Sequence, residues 1–213
     1  MATDPLKFNY RATRPPRTGA SRSQSEIVLV GGDSFSNGAN DWPGPLQSTY
    51  GHTVYRAAVS GGRLDRIFTE MRTWAAANWG VKPGVVLVQG GINNIVASQT
   101  AETMKSQLNQ IIVYFRKLGA IPVVLSLCPF GSSSGWTAGR QTEADAFNSW
   151  LLARTDLVTV DVYTPLESAP GSDILAAGYD SGDGLHPNTT GMALIAQLVD
   201  SVLDNVVDKN CHL

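Results

Sequence analysis

Charge is scarce in this sequence. Lys, Arg, Asp and Glu make up 16 % of its 213 residues, against about 25 % in an ordinary soluble domain. Neither sign dominates, since 16 basic and 18 acidic side chains leave a formal net charge of −2. A protein that grips duplex nucleic acid carries a marked basic excess, so no nucleic-acid partner is expected. Cysteine is nearly absent as well. Cys128 and Cys211 are too few for a disulfide framework or a zinc cluster. Two unpaired thiols is the simpler expectation and a single bridge the alternative, which leaves the redox compartment open. No stretch reaches the ~18 apolar residues that a spanning helix needs, and residues 1–26 lack the apolar centre of a signal peptide. The chain is read as soluble, with compartment and oligomeric state open. There is no Walker pattern, and no G-x-G-x-x-G follows a strand to open a helix, so a nucleotide reading has no support.

What is present points to one domain with a sizeable core. Hydrophobic residues make up 43 %, and a chain of this length hides about 70 % of its unfolded surface. Residues 1–24 stand apart, with Lys7, Arg11, Arg14, Arg17 and Arg22 against Asp4, and with Pro5, Pro15 and Pro16 interspersed. They read as a basic leader, or as an arm for an anionic partner, ahead of a domain over residues 25–213. Short apolar runs then recur at Ile27–Val30, Thr53–Ala58, Val85–Gln89, Ile121–Leu127 and Val158–Val162. Continuous runs of this kind suit strands covered on both faces. Between them, apolar stripes at spacings of three and four predict helices over Leu64–Trp79, Glu102–Leu118, Thr142–Ala153 and Met192–Val207. Alternating strands and helices imply an α/β fold, a parallel sheet with helices on both sides. Such a sheet carries its reactive residues just beyond the carboxyl ends of its strands.

Those ends are chemically rich. Strand one is followed by Gly32-Asp33-Ser34-Phe35-Ser36, strand two by Ser60-Gly61-Gly62, and strand three by Gly91-Ile92-Asn93-Asn94. A long loop after strand five carries Asp183-Gly184-Leu185-His186-Pro187. A serine hydroxyl attacks a carbonyl only when a base takes its proton. Of three histidines, His52 lies in a connector and His212 in the tail, so His186 is the candidate base and Asp183 its orienting carboxylate. Backbone N–H groups of Ser34 and Gly61 with the Asn93 carboxamide are the candidate oxyanion donors. Singly, each feature has a plain alternative: Asp33-Ser34 as a helix cap, Gly61-Gly62 as a turn, Asn93 and His186 as loop residues. Four such features at matching strand ends favour a site for acyl transfer.

Gly131-Ser132-Ser133-Ser134-Gly135 also fits a nucleophile elbow after a strand. An elbow turns directly into a helix, however, whereas Pro129-Phe130 precedes this segment and Trp136-Thr137-Ala138-Gly139 follows it. A Gly/Ser-rich loop is the better reading, with Phe130 and Trp136 as candidate substrate-lining residues.

The segments GDSFSNG, AVSGG, GINN and DGLHP resemble, in order, the four blocks of the SGNH (GDSL-type) hydrolase family. Trp42-Pro43 with Leu46 resembles the pattern that follows the first block. The resemblance spans about Ile27 to Met192. It implies a three-layer α/β/α sandwich, flavodoxin-like, with a five-stranded and mainly parallel sheet, no metal, and hydrolysis of acyl esters. It also implies Ser34 as nucleophile, His186 and Asp183 as base and support, and Gly61 and Asn93 as completing the oxyanion hole. Arg56 stands where the second block usually has asparagine, and Asn94 where the third usually has aspartate. The expectation is a serine esterase without cofactor, acting on a small-molecule, carbohydrate or lipid ester, with a short acyl group such as O-acetyl on carbohydrate favoured. An acyltransferase and a non-catalytic carbohydrate-binding or adhesion module are the alternatives.

Overall fold

The protein is described by a computed structural model covering residues 27–210 apart from Ala39 and Trp79. The basic leader and Cys211 lie outside these residues. The apolar runs become β1 (Ile27–Gly32), β2 (Thr53–Ala58), β3 (Val85–Val88), β4 (Ile121–Leu125) and β5 (Val158–Val160). They pair in the order β2-β1-β3-β4-β5, every neighbouring pair parallel.

Parallel strands need crossovers, and the helices supply them. Along the chain these are α1 (Pro43–Ser48), α2 (Leu64–Ala77), α3 (Ile92–Val96), α4 (Ala101–Lys117), α5 (Ala138–Leu152), α6 (Tyr163–Leu166) and α7 (Thr189–Asn210). Strand side chains alternate in direction, and the core divides accordingly. Leu29, Val86, Val88 and Val124 join Ile67, Met71, Leu108, Ile112 and Phe147 under α2, α4 and α5. Val28, Val30, Val85, Leu87 and Val123 join Leu46, Leu166, Ile195 and Val199 under α1, α6 and α7. The result is the expected three-layer α/β/α sandwich. Among the described residues no helix is long and apolar enough to cross a membrane.

Two helices start earlier than the apolar stripes predict, for the same reason. Thr137 accepts the Arg140 N–H through its side chain and so opens α5 before its first buried apolar residue, Ala144. Asn188 Oδ1 accepts the N–H groups of Thr190 and Gly191 at 2.9 and 3.1 Å, which opens α7 ahead of Met192. Caps of this kind satisfy the orphan donors of a first turn. Cys128 is a buried, free thiol, its pKa driven far up by burial and then by the nearby Asp33 and Asp161 carboxyls.

Strand order positions the site. From β1 the chain steps to β2 on one side and then to β3 on the other, so a crevice opens beyond the carboxyl ends of β1 and β3. Ser34 follows the first of these strands and Asn93 the second.

Candidate active site

The turn after β1 carries a buried polar cluster. Asp33, Ser36 and Gln89 are almost completely enclosed. Trp42 Nε1 donates to Ser36 Oγ at 3.0 Å, which donates to Gln89 Oε1 at 3.0 Å. Asp33 Oδ1 accepts the Phe35 N–H at 3.1 Å. These bonds hold the turn so that Ser34, itself partly exposed, leaves the sheet's rim.

His186 meets it there. Ser34 Oγ lies 2.9 Å from His186 Nε2, and His186 Nδ1 lies 2.6 Å from Asp183 Oδ2. Partial burial raises the Asp183 pKa, but the His186 N–H, the imidazole and the Leu185 N–H outweigh that and bring it down to about 2. An ionised carboxylate only accepts, so Nδ1 carries the ring proton and Nε2 is left to accept from Ser34. Phe35 meets the imidazole edge-on, with ring centroids 5.2 Å apart.

The loop that carries this pair is fixed at both ends. Asp180 Oδ1 accepts the Gly182 and Gly184 N–H groups at 2.8 and 3.1 Å. Asn188 donates to the carbonyls of Gly178 and Asp180 while it caps α7. Gly184 has φ +70°, and a Cβ there would lie 2.5 Å from the Ser132 carbonyl carbon. The loop therefore rests directly on the segment that follows β4.

The three candidate oxyanion elements are tied together. Asn93 Nδ2 lies 3.2 Å from Gly62 O and 3.4 Å from Asp33 Oδ2. Ser60 Oγ donates to Asn37 O at 3.3 Å, which joins the loop after β2 to the turn after β1. Gly61 has φ +71°, and a Cβ there would point into open space. Its backbone borders solvent and favours glycine on conformation alone.

Both departures from the resemblance are compensated. Asn94 is fully buried; its Oδ1 accepts the Leu64 N–H at 3.0 Å, and its nitrogen donates to Gln99 and Gln107 at 2.6 and 2.8 Å. Two glutamine oxygens thus match a carboxamide where a carboxylate would be repelled. Arg56 pairs with Asp41 at 3.0 Å, neutralising a buried carboxylate that also accepts the N–H groups of Gly38 and Gly44.

One expectation is corrected. Phe130 does not line a cleft, because its ring is fully buried in the core cluster under α4 and α5. Trp136 is 38 % exposed, with Nε1 donating to Gln141 at 3.1 Å. Ser133 sits in two successive turns, its N–H on Phe130 O and its carbonyl accepting the Trp136 N–H; no helix follows directly, so the segment is not an elbow.

Sequence reading missed the supports: Asp180, Asn188, Phe35 and the Ser132–Gly184 contact. Of these only Asn188 left a signal, as a capping residue ahead of an apolar stripe.

Fold and site together place the protein among the α/β/α hydrolases. The model of the GDSL-like lipase/acylhydrolase family matches residues 29–194, and the chain belongs to that family. It is accordingly a carboxylic ester hydrolase. Solved structures with the same fold include a protein described as a lipolytic member of the G-D-S-L family from Desulfitobacterium hafniense (19 % identity, TM-score 0.70, covering 84 % of this chain and 99 % of that one). A GDSL-like lipase from Bacteroides thetaiotaomicron shows 15 % identity and a TM-score of 0.71, over 85 % of this chain and 89 % of that one. A psychrotrophic esterase from Pseudoalteromonas, inhibited by monoethylphosphonate, shows 16 % identity and a TM-score of 0.65, over 86 % and 100 %. A search of curated sequences finds no match.

Proposed function

We propose that the protein is a serine esterase that removes short acyl groups through an acyl-enzyme on Ser34. The observation that carries this reading is the unbroken hydrogen-bonded series from Ser34 Oγ through His186 to Asp183, at 2.9 and 2.6 Å. Ser34 Oγ attacks the ester carbonyl as His186 Nε2 takes its proton, and Asp183 stabilises the imidazolium. Charge on the former carbonyl oxygen is met by the N–H groups of Ser34 and Gly61 and by Asn93 Nδ2. The C–O bond then breaks, and the alcohol leaves with the proton held by His186. Water gives a proton to His186, attacks the acyl carbon and releases the acid, restoring Ser34.

The openness of the rim supports a short acyl group on a polar alcohol, such as an O-acetyl group on carbohydrate. The His186 and Asp183 side chains are 36 % and 51 % exposed. A long acyl chain gains about 0.8 kcal/mol per methylene only where that methylene is buried. Asn37, Ser60, Ser132 and Ser181 line the surrounding exposed surface and suit hydroxyl groups, with Trp136 offering a ring face. The test compares kcat/KM on p-nitrophenyl acetate, butyrate, octanoate and laurate with release of acetate from acetylated oligosaccharides. Preference for acetyl, including acetylated sugars, is expected; a rise toward laurate would refute the short-acyl reading.

A further inference from the structure

A carboxamide can present either nitrogen or oxygen to a developing oxyanion, and only nitrogen helps. Nothing in Asn93 itself makes that choice; its surroundings do. Its nitrogen faces two acceptors, Gly62 O and Asp33 Oδ2, at 3.2 and 3.4 Å. Asp33 is fully buried, with its other oxygen committed to the Phe35 N–H. An ionised carboxylate there attracts the amide nitrogen and repels the amide oxygen. The backbone contact to Phe35 alone does not call for a charge, because an asparagine oxygen would serve it equally.

We propose that Asp33, the residue before the nucleophile, is a positioning residue whose buried carboxylate holds Asn93 with its nitrogen toward the oxyanion. This rests on the Ser34 reading above. The 3.4 Å contact is long for a hydrogen bond, so little is lost when that hydrogen turns to the oxyanion as charge builds. Interactions that strengthen only in the transition state are the ones that raise kcat. The charged or titratable groups that face Asp33 are His186, from the loop before α7, and the Cys128 thiol beyond β4. Burial raises the Asp33 pKa to about 6, against opposing contributions from the Phe35 N–H, Gln89 and His186. Its carboxyl therefore takes up a proton within the range where esterases are assayed, and the protonated group no longer holds Asn93.

A double-mutant cycle tests the coupling. In Asp33→Asn the oxygen stays on the Phe35 N–H and the new amide nitrogen meets Asn93 Nδ2, donor against donor. Asp33→Asn should lower kcat about 10- to 100-fold with KM little changed. In an Asn93→Ala background the same substitution should change kcat less than about twofold, since coupled residues are not additive. The acid side of the kcat profile should also lose the proton dependence that Asp33 contributes. Equal losses in both backgrounds, or a kcat for Asp33→Asn equal to that of the unsubstituted protein, would overturn the proposal. If Asp33→Asn does not fold, Asp33→Ser, which keeps an acceptor for the Phe35 N–H, replaces it in the cycle. A fluorophosphonate adduct on Ser34 in each variant separates the two ideas: present with an additive cycle, only the Asp33 role falls; absent from active unsubstituted protein, the Ser34 reading falls and this inference with it.

Discussion

Replacing Gly184 by alanine isolates how far catalysis depends on the seat of the His186 loop. Gly184 has φ +70°, a left-handed backbone that costs an alanine about 1–2 kcal/mol. Its Cβ would also lie 2.5, 2.6 and 2.8 Å from the carbonyl carbon, carbonyl oxygen and Oγ of Ser132. Two of those atoms are backbone, so relief requires one loop to move by roughly 1 Å, and a displacement of that size costs about a hundredfold in rate. Gly184 also donates to Asp180 Oδ1 at 3.1 Å, and the movement drags the Asp183–His186 pair with it. The expected outcome for Gly184→Ala is a fall of about a hundredfold in kcat on p-nitrophenyl acetate, with KM changed far less. Gly171 and Gly182 provide controls: both have positive φ, +74° and +106°, and a Cβ at either would meet nothing within 4 Å. Their alanine variants should lose stability in urea denaturation while keeping most of kcat. Equal loss of kcat in Gly182→Ala and Gly184→Ala would refute the argument from packing on Ser132.

Further outcomes follow from the same geometry. Asp33, with a folded pKa raised to about 6 by burial, stabilises the folded state below pH about 4 and loses that contribution as pH rises through 6. The full difference is about 3 kcal/mol, of which about 1.4 kcal/mol is lost between pH 5 and pH 7.5; urea denaturation at those two pH values should show this dependence and Asp33→Asn should remove it, whereas identical pH dependence in both proteins would contradict it. Asp183→Asn should reduce kcat substantially but less than His186→Ala, because Asp183 acts through the base; the reverse order would count against the assigned roles. Trp136→Ala should alter KM or substrate preference across several esters without loss of fold, and unchanged kinetics would remove Trp136 from the substrate surface.

The legible parts of the structure share a cause. The three inner strands β1, β3 and β4 are continuous apolar runs, because both faces of the sheet are covered there, and such runs are visible without tertiary knowledge. Helices α1, α3 and α6 are four to six residues long, too short to show a period. The start of α5 was hidden because its first buried side chain is the polar Gln141. In the site, Ser34 and Asn93 stand out because they follow the ends of β1 and β3, whereas Asp183 and His186, on the loop between α6 and α7, stand out by residue type and close spacing. Phe130 misled because a loop aromatic carries no periodicity to say which way it points, and the ring turns into the core. The role of Phe35 exists only through its contact with His186 across the fold, whereas Asp180 and Asn188 act through bonds within the loop and to the first turn of α7. Gln99 and Gln107 look like surface polar residues until Asn94 is seen between them.

The most direct test of the nucleophile is covalent capture. A fluorophosphonate probe should leave its phosphonyl group on Ser34 Oγ, located by peptide mass mapping, and Ser34→Ala should lose both the adduct and the turnover of p-nitrophenyl acetate. An adduct on Ser133, or an active enzyme with Ser34 replaced, would contradict the account.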